Sequence, residues 1–172
     1  MKRWQKHIFV TATLLALTGS IVIGAVVQDR PVIVTGSDLT RLTPNSFYFK
    51  GQSAPTQMRN TAAAKFGAER HVIVGLVDTS GYSAEVRAKY EGFFITDSPI
   101  KVNGESLPTG AYGFGFSSDG KMNVMDISGN DVLSVSSTND KVLRRPRPLM
   151  MTTSEQGVRF YSRRDYVVIT TN

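Results

Sequence analysis

The sequence predicts a mainly β protein, an antiparallel β-sandwich or partly closed barrel with one short helix, following an N-terminal signal segment. Three observations predict it. Turn-forming residues recur roughly every eight to twelve positions through the body of the chain. The runs between them favour β-branched and aromatic side chains. Only one stretch carries the capping and charge pattern of a helix.

The N-terminus reads as an address. Lys2, Arg3 and Lys6 precede an uncharged run from Ile8 to Val27, the basic start and apolar centre of a secretory signal. Residues 1–25 form the signal peptide on this reading, with Ala25 as the small residue before the cut, and residues 26–172 form a single β-rich domain. The alternative is an uncleaved anchor, because the run has roughly the 20 residues that an apolar spanning helix needs. Thr11, Thr13, Thr18, Gly19 and Ser20 dilute it. Both readings put the body of the protein outside the cytoplasm, either periplasmic or secreted, or held at the inner membrane by this segment alone. With no cysteine in the chain, the acylated-lipoprotein route is closed. The fold must then be held by burial and backbone hydrogen bonding, in a bacterial envelope rather than a disulfide-forming secretory compartment.

Removing 25 of the 172 residues leaves 147, enough for one domain with its own core. The net charge of +6 includes three basic residues of the signal; the remaining 17 against 14 acidic residues give +3. The excess is uneven. Lys141, Arg144, Arg145, Arg147, Arg159, Arg163 and Arg164 crowd into the last third, a distribution that suits an anionic lipid, polysaccharide or acidic partner. The plainer reading is a solvated basic surface whose arginines also block edge pairing. Nucleic acid is excluded by location.

Taken in order, Val32-Ile33-Val34 is a short strand between Pro31 and Gly36-Ser37-Asp38. Phe47 to Gln52 is a second strand, limited by Pro55, which brings no backbone donor. Thr61 to Phe66 follows, then His71 to Val77, whose unbroken apolar character predicts a strand buried on both faces. The helix is expected over Ser83 to Tyr90, with Ser83 as cap, Glu85 in its first turn, Arg87 and Lys89 near its end, and Gly92 beyond it. Phe93 to Thr96 returns to strand. Asn103-Gly104 predicts a tight hairpin, and Leu107-Pro108-Thr109-Gly110 another turn. Tyr112, Phe114 and Phe116 then fall on one face of a strand, leaving Gly113 and Gly115 as a bare second face. The chain continues as a meander through Met122 to Ile127, Val132 to Val135, Leu149 to Thr153, Val158 to Ser162 and Tyr166 to Thr170.

Few residues suit catalysis. Only His71 survives signal removal; no Gly-x-Ser-x-Gly elbow is present, and one histidine without cysteine makes a poor zinc site. Leu76-Val77-Asp78-Thr79-Ser80-Gly81 is similar to the aspartic-protease signature, in which two aspartates share a proton. Ser80 stands where that signature has glycine, and the competing reading is an Asp-Thr-Ser-Gly turn capped by Asp78. Asp126, Ser128, Asn130 and Asp131 gather oxygens without calcium-loop spacing. Glu85, Glu91 and Asp97 make a glycosidase pair only if space brings two of them together. No metal or cofactor is expected. The plentiful aromatics fill the sheet core, except where Tyr161 and Tyr166, beside Arg163 and Arg164, offer stacking rings to a sugar or an anion.

Asn103 to Tyr112 resembles the Gly-x-x-Leu-x-x-Gly-x-Tyr segment of exported β-sandwich modules, among them peptidase-associated regulatory-type domains. With Val77 to Tyr82 and Arg145-Pro146-Arg147-Pro148-Leu149 it resembles a group of uncharacterised small exported bacterial β-sandwich proteins. That resemblance implies fold and location and supplies no site residues. The function expected is therefore a non-catalytic binding or structural module of the envelope. Arg147, Arg163, Arg164, Tyr161 and Tyr166 are its candidate binding residues, and an anionic envelope ligand or a protein is its partner. Two alternatives stand beside it: a hydrolase using Asp78, and an anchored scaffold subunit pairing through an edge strand such as Phe47 to Gln52.

Overall fold

In the structure, a computed structural model that describes residues 30–171, the chain builds two antiparallel sheets. The signal or anchor segment lies outside the described residues. Along the chain come β1 (Val32–Val34), α1 (Gly36–Leu42), β2 (Ser46–Phe49), β3 (Gln52–Phe66), β4 (Arg70–Val77), α2 (Ala84–Arg87), β5 (Gly92–Thr96), β6 (Ile100–Val102) and β7 (Glu105–Leu107). They are followed by β8 (Gly110–Ser117), β9 (Lys121–Met125), β10 (Asp131–Ser136), β11 (Thr138–Asn139), β12 (Arg147–Ser154), β13 (Gly157–Arg163) and β14 (Asp165–Thr171). The first sheet runs β1-β3-β4-β5-β8-β9-β10, with β2 paired to β3; the second runs β12-β13-β14-β6-β7, with β11 paired to β14. β12 lies against β3 and β1 at one margin and β7 approaches β10 at the other. The sandwich is thereby partly closed.

The main core lies between the sheets. Val72, Val74, Phe94, Phe114, Met122 and Val124 of the first meet Ile100, Val102, Leu149, Val158, Phe160, Val167 and Ile169 of the second. Strand alternation supplies both faces, since residues two apart point the same way. A second, smaller core covers the opposite face of the first sheet, where Phe47, Phe49, Tyr82 and Tyr90 pack over Val77, Phe93 and Met125. This explains the bare glycine face of β8. A Cβ on Gly113 would sit 2.5 Å from the Phe49 ring, and one on Gly115 would sit 2.2 Å from the Lys89 carbonyl oxygen. The glycines let the Phe49–Tyr90 layer touch the sheet backbone, with the two rings stacked at 4.0 Å.

The structure departs from the sequence reading in four places. Phe47 to Gln52 is a hairpin rather than a strand, because Lys50 and Gly51 adopt φ of 47° and 86°, the paired positive values of a tight mirror-image turn. β3 continues through Pro55, which opposes Ser46 on β2; its carbonyl accepts from the Asp78 amide. The pairing of β3 with β4 instead breaks between Thr56 and Thr61, where the strand bulges. α1 forms where a turn is expected and buries no side chain, so it carries no apolar period to read. α2 is shorter than expected; Ser83 caps it by accepting from the Val86 amide at 3.3 Å, and the chain then drops Tyr90 into the second core.

The Tyr90 hydroxyl is buried with no hydrogen bond of normal geometry among the described residues, and burial, with the Tyr82 hydroxyl beside it, pushes its pKa well above the ordinary tyrosine value. An unpaired buried hydroxyl costs about 1–3 kcal/mol. Tyr90→Phe is therefore expected to raise stability by about 1 kcal/mol, measured as a higher urea midpoint at unchanged slope. A lower midpoint would show that the hydroxyl is satisfied.

Candidate functional site

β12 begins at Arg147 and β13 ends at Arg163, and the two are cross-strand partners next to a register shift between Arg147 and Leu149. Like charges placed opposite one another weaken a sheet, so this end of the sandwich carries a local positive excess against its own stability. The backbone of Arg163 is left-handed, at φ 57°, a conformation that L-residues adopt at a cost. It swings the chain directly into β14 and leaves the Arg163 side chain 71% exposed.

Glu91 is the acid that answers it. It lies between α2 and β5, where its amide donates to the Phe114 carbonyl at 2.7 Å and fixes the residue against β8. Its carboxylate accepts from the Phe116 amide at 3.3 Å, from the Ser162 hydroxyl at 3.4 Å and from Arg163 Nη2 at 3.3 Å. The side chain is 23% exposed. Beside it opens a cleft of about 290 Å³ whose polar wall includes Gln57, Thr79, Arg87, Glu91, Ser162 and Arg163. The β3 bulge forms one side: Gln57 Nε2 donates to the Val77 carbonyl at 3.0 Å and Gln57 Oε1 accepts from Asn60 at 2.8 Å. Bulges recur at the margins of sites because they re-aim side chains.

A basic loop, residues 140–146, leads into Arg147 and then Pro148, which lines the cleft. Asp140 Oδ1 accepts from the amides of Val142 and Leu143, both at 3.1 Å, while Oδ2 accepts from the Tyr161 hydroxyl at 3.0 Å. Arg164 Nη1 donates to the carbonyls of Asp140, Lys141 and Leu143 at 3.2, 3.4 and 2.8 Å. Lys141, Arg144, Arg145 and Arg147 are all exposed, and none of them has an acidic partner within ion-pair distance among the described residues. Val142 is 87% exposed beside them.

The five candidate binding residues thus gather at one end of the second sheet, in different states. Arg147 and Arg163 face solvent at its margin. Arg164 is engaged by three carbonyls and shapes the loop. Tyr161 is 2% exposed, 5.0 Å from the Tyr166 ring, and Arg159 lies 4.8 Å over Tyr166. The tyrosine faces are therefore occupied by each other and by Arg159. Glu91, Gln57, Arg87 and Ser162 join the site from the structure, and Glu91 entered the sequence reading only as one of three carboxylates. Its hydrogen-bond partners lie 25, 71 and 72 positions away, beyond any local pattern.

The remaining sequence candidates are engaged elsewhere. His71 Nδ1 lies 3.0 Å from Asp97 Oδ2, and its amide donates to Asp97 Oδ1 at 2.7 Å. The pair bridges the ends of two neighbouring strands. Asp78 accepts from the Ser80 amide at 3.0 Å, and that bond holds its carboxyl below the usual range; this is the expected turn geometry. Asp126 is held low by the Asn130 side chain and by amides of its own turn. Among the described residues, no three His, Asp or Glu side chains group as metal ligands, and no helix is long and apolar enough to cross a membrane.

The opposite end of the second sheet holds a wider cavity of about 800 Å³, where Arg30 and Pro31 meet the Ser154–Gly157 turn, Phe66 and Thr171. The eight residues of β12 separate it from the arginine end, about 25 Å at ~3.3 Å per residue. Comparison of the chain with protein-family models, with curated proteins and with solved structures finds no match.

Proposed function

We propose that this protein is an exported, non-catalytic binding module of the bacterial envelope, and that it takes an anionic ligand at the end of the sandwich where Arg147 and Arg163 meet. Export rests on the Lys2, Arg3, Lys6 and Ile8 to Val27 pattern. The observation that carries the ligand class is the cross-strand pairing of Arg147 with Arg163. Two arginine positions oppose each other in the ladder beside a cleft that Arg87 also lines, and Glu91 is the single acid on its wall among the described residues. An anion relieves that repulsion on binding, and charge complementarity of this kind also speeds encounter.

The test is the Arg147→Ser/Arg163→Ser double variant, titrated against polymer extracted from the envelope of the source cell. Affinity is expected to fall at least tenfold, and the salt dependence of binding to flatten, as charged contacts are lost. Binding that is equally tight and equally salt-sensitive in the variant would exclude this end as the ligand site. Arg164 is left intact because its removal would free three carbonyls of the basic loop.

A further inference from the structure

We infer that Glu91 is a built-in stand-in for the ligand: one acidic group of the incoming polyanion, a carboxylate or a phosphate, replaces the Glu91 carboxylate on Arg163 and Ser162. Its further charges then run along Arg147 to the 140–146 loop. This rests on the anionic-ligand reading and names the contact that the reading leaves open.

Four features carry it. All three hydrogen bonds to the Glu91 carboxylate are 3.3–3.4 Å long, whereas charge-assisted bonds between well-seated partners run about 2.7–2.9 Å. The carboxylate is present but loosely held. Arg163, its cationic partner, is 71% exposed, so a solvent-borne acid reaches the guanidinium without moving the sheet. The cleft of about 290 Å³ opens beside the pair, with Arg87, Thr79 and Gln57 on its wall, and gives the incoming group space and further donors. Finally, Arg87 and Arg147 have no acidic partner within ion-pair distance among the described residues. The one carboxylate on the cleft wall thus pairs with Arg163 alone and leaves the charges of Arg87 and Arg147 unanswered.

A single small anion would gain little over Glu91, which is already in place and costs no translational freedom. A polymer gains because its neighbouring charges engage Arg147, Lys141, Arg144 and Arg145 together, and the linked contacts raise avidity without new chemistry. The loop suits this use because Asp140 and Arg164 pin its backbone before any ligand arrives. Pre-organisation of that kind lowers the ordering cost of binding.

The experiment compares the wild-type chain with Glu91→Gln by isothermal titration, using polyglycerol phosphate, polygalacturonate and their monomers as probes. Glutamine keeps the shape and acceptor oxygen while removing the competing charge. Glu91→Gln is expected to bind at least one polymer tenfold or more tighter than the wild type, and the polymer that gains tells phosphate from carboxylate. Adding Arg163→Gln should erase that gain. Glu91→Asp, which retains the charge but draws it back by one methylene, provides a second reading should the glutamine variant fold poorly, and it too is expected to bind more tightly than the wild type. Wild-type binding to a polymer with equal or weaker binding by both Glu91 variants overturns the stand-in role while leaving the anionic site standing. No binding of any polymer by wild type or variants sinks both.

Discussion

Phe160→Ala is expected to lower the stability of the domain by about 4 kcal/mol, the range of phenylalanine truncations in well-packed cores. Phe160 is fully buried on β13, an interior strand of the second sheet. Its ring lies 6.0, 5.2 and 5.6 Å from those of Phe94, Phe114 and Phe116, all on the first sheet. Truncation therefore opens a cavity at the junction of two layers that have no backbone hydrogen bonds to close it. A melting temperature lower by about 12 °C is the matching observation for a domain of this size. A loss below about 2 kcal/mol would mean that the sheets settle inward over the gap.

Gly115→Ala is expected to cost about 3 kcal/mol, at the upper end of overpacking changes. The added methyl would stand 2.2 Å from the Lys89 carbonyl oxygen and 3.2 Å from the Tyr90 nitrogen. Both are backbone atoms and neither can rotate away, so the segment beneath α2 must lift. Gly120→Ala is the control. Gly120 has φ 78° and nothing within 4 Å, so its alanine meets only the left-handed backbone penalty of about 1–2 kcal/mol. If the two variants lose the same stability, the close approach of Lys89 to β8 is not the constraint described above. The larger loss also carries a functional sign. Lifting residues 89–91 would withdraw Glu91 from Ser162 and Arg163, so Gly115→Ala is expected to change affinity for the proposed anionic ligand where Gly120→Ala does not.

The parts of the fold that were legible in the sequence are those with a short-range cause. Tyr112 and Phe114 point into the main core because they alternate with glycines, and Asn103-Gly104 turns at φ 47° and 89° as its composition predicts. His71 to Val77 is buried on both faces because two separate cores use it. The Lys50-Gly51 turn escaped because lysine rarely takes positive φ, and the β2 hairpin holds it there by pairing outward to Gln52 and Ser53. The basic end was legible as charge, since Arg147, Arg163 and Arg164 cluster in the sequence. Its internal division was not, because whether an arginine meets solvent, carbonyls or a distant glutamate depends on which strands the fold brings alongside.

The first sheet lies between two cores of unequal size, and that inequality sets an order of release. The smaller layer, Phe47 to Phe49 with Tyr82 and Tyr90, is joined to the sheet over one face only, while the larger core locks the other face to the second sheet. Sub-global opening follows the weaker layer first. The segment from Asp78 to Tyr90 is then expected to form an exchange unit of its own, its amides trading hydrogen for deuterium ahead of those in β4 and β8. Glu91 sits at the edge of that unit, where its amide and carbonyl are held by Phe114 and Val77 of the sheet, and its arginine partner belongs to the second sheet. The ion pair between Glu91 and Arg163 thus lies at a seam between two parts of the protein that are expected to exchange at different rates.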